Sequence, residues 1–154
     1  MSRGLLKIPL FGDIILKTEL ARFSRTLGLL LKNGVSILRA LEIAVPILDN
    51  DVLKTHLEKC KSELAAGGSL GYSLRQAPEL PAMMGHLITV GEESGSLIEV
   101  LNEIASTYEQ ETDEKIKVMT TLFEPMMILV IGLIVGFIVF SILLPIFQMD
   151  VFAK

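Results

Sequence analysis

Few side chains in this chain are equipped for chemistry. His56 and His86 fall in different predicted helices, and neither stands in a zinc-ligand pattern. The single cysteine, Cys60, lies on an apolar helical stripe, the setting of a core residue. No glycine-rich loop leads into a helix with a lysine at P-loop spacing. The turn Gly68-Ser69-Leu70-Gly71 lacks the strand-to-helix context of a nucleophile elbow. The sequence therefore predicts no catalytic residue, no cofactor, no metal centre, and a protein that is not an enzyme.

Charge and shape are what the chain offers instead. From Glu92 to Glu114 there are eight acidic residues and no basic one. Glu99 and Glu103 are four apart, and Gln110 and Glu114 continue that side of a helix, opposite Leu97, Leu101, Ile104 and Tyr108. Like charges at that spacing cost an isolated helix about 0.2–0.5 kcal/mol per pair. Three readings stay open: a solvated face, a weak divalent-cation site between paired helices, or a docking surface for a basic partner. The docking reading draws on Glu92, Glu93, Glu99, Glu103 and Glu114. The basic surface that meets this face belongs either to a partner or to the chain's own first helices, with Arg22, Arg25, Lys32 and Arg39. Arg22 and Arg25 are the basic candidates for contact. The second feature is Gly132-Leu133-Ile134-Val135-Gly136, a spacing that lets another membrane helix approach closely.

That glycine pair sits in the stretch around which the chain is organised. Residues 126–145 read MMILVIGLIVGFIVFSILLP, and no charge falls between Pro125 and Met149. A helix rises about 1.5 Å per residue, so such a run covers the roughly 30 Å of a bilayer's hydrocarbon core. It has no polar stripe, unlike the buried helix of a small domain. The sequence predicts one membrane span over 125–147, with the large part before it in the cytosol and residues 148–154 as a short periplasmic tail. Lys115 and Lys117 flank the span on the domain side, against Lys154 beyond it, as the positive-inside tendency asks. No apolar run near the N-terminus has the length of a signal peptide.

The remaining residues read as helices throughout, with no strand alternation. Residues 1–16 look like a lead-in with turn signals at Pro9 and Gly12, followed by a helical domain over 17–124. The first clear helix covers about 13–33, with Leu16, Leu20, Phe23, Leu27 and Leu30 along one face. Asn33-Gly34 should end it in a left-handed cap. Ser36 should cap a second helix ended or kinked at Pro46, and Asn50 or Asp51 should open a third that closes at Gly67-Gly68. A short fourth helix follows Ser69, and Pro81 opens a fifth. Gly91 to Gly95 form the next junction, with a left-handed backbone at Gly95. Ser96 and Glu99 then make a capping box for a sixth helix that runs unbroken into the span and passes domain movement into the bilayer. The fold class is all-α: a six-helix cytoplasmic bundle of helical hairpins whose last helix continues into one C-terminal transmembrane helix.

Composition agrees with a membrane-attached helical protein. Hydrophobic residues make up 51% of the chain, the mean hydropathy is +0.56, and a lone cysteine suits a reducing compartment. The net charge of −4 makes nucleic acid an unsuitable partner. It conceals an asymmetry: residues 1–61 hold ten Lys/Arg and six Asp/Glu, while 62–125 hold three and eleven.

Several segments then match a known pattern. FSRTL at 23–27, NGV at 33–35, VGEESG at 90–95, FEPMM at 123–127 and ILLPIF at 142–147 resemble the type II secretion system F family. These are inner-membrane platform proteins of type II secretion and type IV pilus assembly. The resemblance covers about residues 5–149. It implies a family in which a six-helix cytoplasmic domain occurs twice with three spans, this chain corresponding to the second copy and its closing span. KIPLFG at 7–12 resembles the stretch after the middle span. It further implies no enzymatic activity, and a place in the bacterial inner membrane beneath a hexameric secretion ATPase, linking its motion to the extraction of pilins or pseudopilins. The implied partners are that ATPase, other inner-membrane assembly proteins, pilins, lipid and further copies of the chain. The competing expectation is a tail-anchored helical adaptor or regulator unrelated to secretion.

Overall fold

A computed structural model describes residues 9–153, all of them in helices or short connections. Residues 1–8 of the expected lead-in lie outside the described residues. The chain divides into two compact units at Asp113/Glu114.

Six α-helices appear in chain order among the described residues. The first, α1 (Pro9–Lys32), starts earlier than the turn signals imply. Pro9 is its first residue, where a missing N–H leaves no helical bond unmade, and Gly12 is carried inside the helix by the residues around it. Leu20, Phe23 and Leu27 are fully buried, and Leu16 and Leu30 pack against the core. Burying a side chain such as Phe23 contributes about 1.5–3 kcal/mol. The helix ends in a turn at Gly34 (φ 83), where Val35 N–H reaches Leu30 O at 3.1 Å and Gly34 N–H reaches Leu31 O at 3.0 Å. Only a residue without Cβ adopts that backbone freely. Next come α2 (Ile37–Ala44) and a 3₁₀ turn, Val45–Ile47, in which Pro46 ends the α-helical pattern.

Asn50 caps α3 (Asp51–Ala65), its side chain accepting from the N–H groups of Val52 and Leu53. Leu53, Leu57 and Cys60 form the buried stripe. Gly67 (φ 94) closes the helix, and Ser69 caps α4 (Leu70–Arg75) by accepting from Tyr72 N–H at 3.3 Å. Pro81 precedes α5 (Ala82–Ser94). This helix is longer than the sequence pattern implies: Gly91 to Ser94 are its last turn, and the corner is confined to Gly95 and Ser96. The last helix is α6 (Leu97–Phe152), which passes through Pro125 and Pro145.

Two glycines lock α4 to α5. A Cβ on Gly71 would lie 2.5 Å from Thr89 N and 2.7 Å from Thr89 Cα, and one on Gly85 would lie 3.0 Å from Arg75 N. The two backbones therefore touch directly. Leu70, Leu74, Met84 and Ile88 fill the space on the core side.

In the second unit the charge-free stretch of α6 exposes its Leu, Ile, Val and Phe side chains on every side. An 18-residue window reaches a mean hydropathy of 3.1, and none of its residues is buried within the chain. Water is a poor solvent for such a surface and lipid a good one, so this helix is a candidate membrane span. The helix continues to Phe152, so residues 148–152 of the expected tail are helical.

Candidate functional site

The charged residues singled out in the sequence converge on the seam between α1 and the first turns of α6. Gly28 permits that seam: a Cβ there would be 3.2 Å from Asn102 Oδ1 and 3.4 Å from Leu101 Cβ. Moving toward the start of α1, Arg25 Nη2 donates to Glu109 Oε2 at 2.8 Å and to Ser106 Oγ at 3.3 Å. Further along, Lys17 Nζ donates to Glu111 Oε2 at 2.5 Å and lies 3.5 Å from Asp13 Oδ2. The Glu111 hydrogen bond, with Asp13 beside it, holds the Lys17 ammonium above its ordinary pKa despite the opposing effect of burial. Each of these partly exposed pairs contributes up to about 1 kcal/mol. Together they fix the two helices in antiparallel register.

The acidic run is thus divided by the fold. Glu109 and Glu111 turn inward to α1. Glu93, Glu99, Glu103 and Glu114 are exposed and form no ion pair among the described residues. Of the basic candidates, Arg25 is engaged internally and Arg22 is exposed without an ion pair among the described residues; Arg39 bonds Glu42 on its own helix at 2.7 Å. No group of three or more His, Cys, Asp or Glu side chains that could hold a metal ion occurs among the described residues.

Glu92 departs from the docking role that its place in the acidic run suggests. Its Oε1 accepts from Leu70 N–H at 2.8 Å, and its Oε2 accepts from Gly71 N–H at 3.0 Å and Ser69 Oγ at 2.7 Å. It is a carboxylate from α5 seated on the N-terminus of α4, where unmet N–H groups and the helix dipole both favour negative charge. The rest of that motif shapes the corner. A Cβ on Gly91 would come within 3.1 Å of Leu97 Cα and Val100 Cγ2, and Gly91 O accepts from Ser96 N–H at 2.9 Å. Gly95 has φ 72. Ser96 O accepts the first helical bond of α6, from Val100 N–H, while its hydroxyl lies 2.5 Å from that of Ser94.

The other candidates are placed as follows. Gly132 and Gly136 have nothing within 4 Å of where a Cβ would stand, leaving an open groove on the helix surface. His56 Nε2 pairs with Glu79 Oε2 at 2.7 Å, and His86 is exposed. Cys60 is buried, and burial, with Glu63 beside it, pushes its thiol up to about 11.

Sequence reasoning misses two polar devices between helices. Glu19, on the core side of α1, accepts the Asn50 N–H at 3.1 Å and so steadies the start of α3. Glu63 receives the Ser73 hydroxyl across the α3–α4 contact. Glu19 breaks an otherwise apolar face beside Leu20 and Phe23, and that interruption is its signal. Gly71 and Gly85 carry one too, since a glycine inside a helix costs about 1 kcal/mol relative to alanine and so marks a close approach.

The sequence model of the family "Type II secretion system (T2SS), protein F" matches residues 23–145. The type IV pilus assembly protein PilC of Pseudomonas aeruginosa is 39% identical over 97% of this chain and 40% of its own length. PilC of Thermus thermophilus is 41% identical over 96% of this chain and 37% of its own. The type II secretion system protein F of Pseudomonas aeruginosa is 37% identical over 95% and 36%. The chain spans about two fifths of the length of these relatives.

Proposed function

The chain belongs to the type II secretion system protein F family, and from that premise we propose that it is a platform component of a type II secretion or type IV pilus-like assembly machine in a bacterial inner membrane. The observation that carries this reading is the family match itself, which runs from the helical unit into the apolar stretch of α6. The role is non-enzymatic: the helical unit serves as a scaffold in the cytoplasm, and α6 anchors it in lipid. Its partners in this reading are the assembly ATPase, pilins or pseudopilins, other inner-membrane assembly proteins and further copies of the platform.

Support for a partner surface comes from the residues the fold leaves unmatched. Like-charged Glu99 and Glu103 sit four apart on an exposed face, a mildly unfavourable pairing in isolation that a basic partner would relieve. Glu93, in the same compact unit, is exposed as well. Gly132 and Gly136 are the positions at which another span packs closely.

The test is charge reversal at Glu99→Lys with Glu103→Lys in the membrane-embedded chain. Salt-sensitive association with the assembly ATPase or with a second platform copy should fall while the unfolding midpoint stays within experimental scatter. An unfolding midpoint that drops with unchanged association per folded molecule would sink the partner role of this face. Orientation is tested separately, by protease added to spheroplasts. The helical unit should survive, and its digestion from outside would refute a cytoplasmic placement.

A further inference from the structure

A cleft of about 450 Å³ opens on the flank of the α1–α6 seam, between Arg22, Arg25 and Thr26 on one side and Glu109, Thr112 and Asp113 on the other. Arg25 and Glu109 neutralise one another across it. Arg22 lies one turn earlier on α1, and Asp113 one turn later on α6. Both face the cleft, yet neither has an ion pair among the described residues. The seam thus carries matched charges at Lys17–Glu111 and Arg25–Glu109 and an unmatched pair where the cleft holds the helices apart. Thr112 is 7% exposed, and its hydroxyl is buried without a hydrogen-bond partner among the described residues.

The chemistry of what is unmet defines the ligand. A guanidinium offers only donors, and a buried hydroxyl with no acceptor forfeits the bonds it would make in water. Both ask for an oxyanion. Asp113, across the cleft, asks for a cation beside that oxyanion. A free anion would leave Asp113 unmatched and would face two carboxylates, whereas a protein segment with an acid and a base one turn apart answers both sides. We propose that this cleft is a docking site for a partner protein's Asp or Glu side chain, received by Arg22 and Thr112, with a basic residue of the same segment against Asp113. The assignment rests on the cleft alone and does not depend on the machine in which the chain works.

The probe is a short alanine-based helical peptide carrying one Glu and, one turn on, one Arg, labelled for fluorescence anisotropy. It is titrated at low salt against the full chain in nanodiscs. Binding should be saturable. Arg22→Gln should weaken it about tenfold or more, as expected for loss of a charge-assisted hydrogen bond. Thr112→Val, which keeps the shape, should weaken it several-fold while Cys60 stays protected from thiol reagents, a check that the core is intact. Arg22→Glu should reject this peptide and accept one in which Lys replaces the Glu. Absence of saturable binding, indifference to Arg22→Gln, or failure of the charge swap would each overturn the proposal. Equal displacement of the peptide by inorganic phosphate would also overturn it, by reassigning the cleft to free anions.

Discussion

Replacing Glu92 with alanine isolates the carboxylate on which the start of α4 depends. Three donors lose their acceptor: the N–H groups of Leu70 and Gly71 and the Ser69 hydroxyl. Leu70 and Gly71 are buried, so water reaches their N–H groups poorly, whereas the Ser69 hydroxyl can turn to solvent. A buried donor left unmet costs about 1–3 kcal/mol, which for two gives a loss of about 3 kcal/mol. Glu92→Gln keeps one acceptor oxygen and should lose about half as much. Glu93→Ala, one residue on and exposed, should change stability by no more than about 0.5 kcal/mol. The assay is urea unfolding of the full chain in detergent micelles, followed by the reactivity of Cys60, buried in α3. With a urea slope of about 1.5 kcal/mol per molar, the Glu92→Ala midpoint should fall by about 2 M. Coincident midpoints for Glu92→Ala and Glu93→Ala would refute the claim that this carboxylate holds α4 in place.

Other outcomes follow from the same geometry. Gly71→Ala brings a methyl group within 2.5 Å of Thr89 N; prying the two helices apart should cost about 1–3 kcal/mol, measured as a lower urea midpoint. Gly95→Val forces a β-branched residue to φ 72 and should cost about 1–2 kcal/mol, and an unchanged midpoint would contradict that backbone. Gly132→Leu with Gly136→Leu should reduce crosslinking to neighbouring spans without affecting insertion, because leucine fills the open groove. Cys60 gives a pH dependence: its thiol rises from 9.0 unfolded to about 11 folded. Stability from keeping it neutral is therefore complete below pH 9 and lost as pH rises toward 11. Cys60→Ala should flatten that part of the pH profile, while the Lys17 contribution persists, being lost only as pH rises through a value above 10.5.

Most helix ends are legible in the amino-acid sequence alone, because local rules set them. The stops at Gly34 and Gly67 and the caps at Asn50 and Ser69 each depend on one residue type and its immediate neighbours. Core stripes such as Leu20, Phe23 and Leu27 are legible for the same reason. Which partner a charge takes is not, because that depends on residues far away in the chain. Glu109 and Glu111 meet cations 84 and 94 residues distant, while Glu99 and Glu103 on the same helix meet none among the described residues. Glu92 is the sharpest instance. Beside Glu93 in sequence, it reads as one more member of an acidic run, yet its carboxylate bonds a helix terminus about twenty residues upstream. The extent of the turn between Gly91 and Gly95 is equally hidden. Two glycines and a serine signal a loop, whereas Gly91 is there to admit Leu97 and Val100.

Pro125 and Pro145 leave a mark on α6 that its unbroken path does not reveal. Each lacks an N–H, so the carbonyl oxygens four residues earlier, at Thr121 and Ser141, have no donor in the helical ladder. The two gaps bracket the apolar rod at either end. Between them every rung of the ladder is available and bending is resisted; at the gaps the helix can flex without breaking a backbone bond. The Ser141 carbonyl is in addition an acceptor surrounded by hydrocarbon-like side chains, where an unmet polar group is costly. A water molecule, or a donor side chain on a neighbouring span, is drawn to that point of the helix more strongly than to any turn between the prolines.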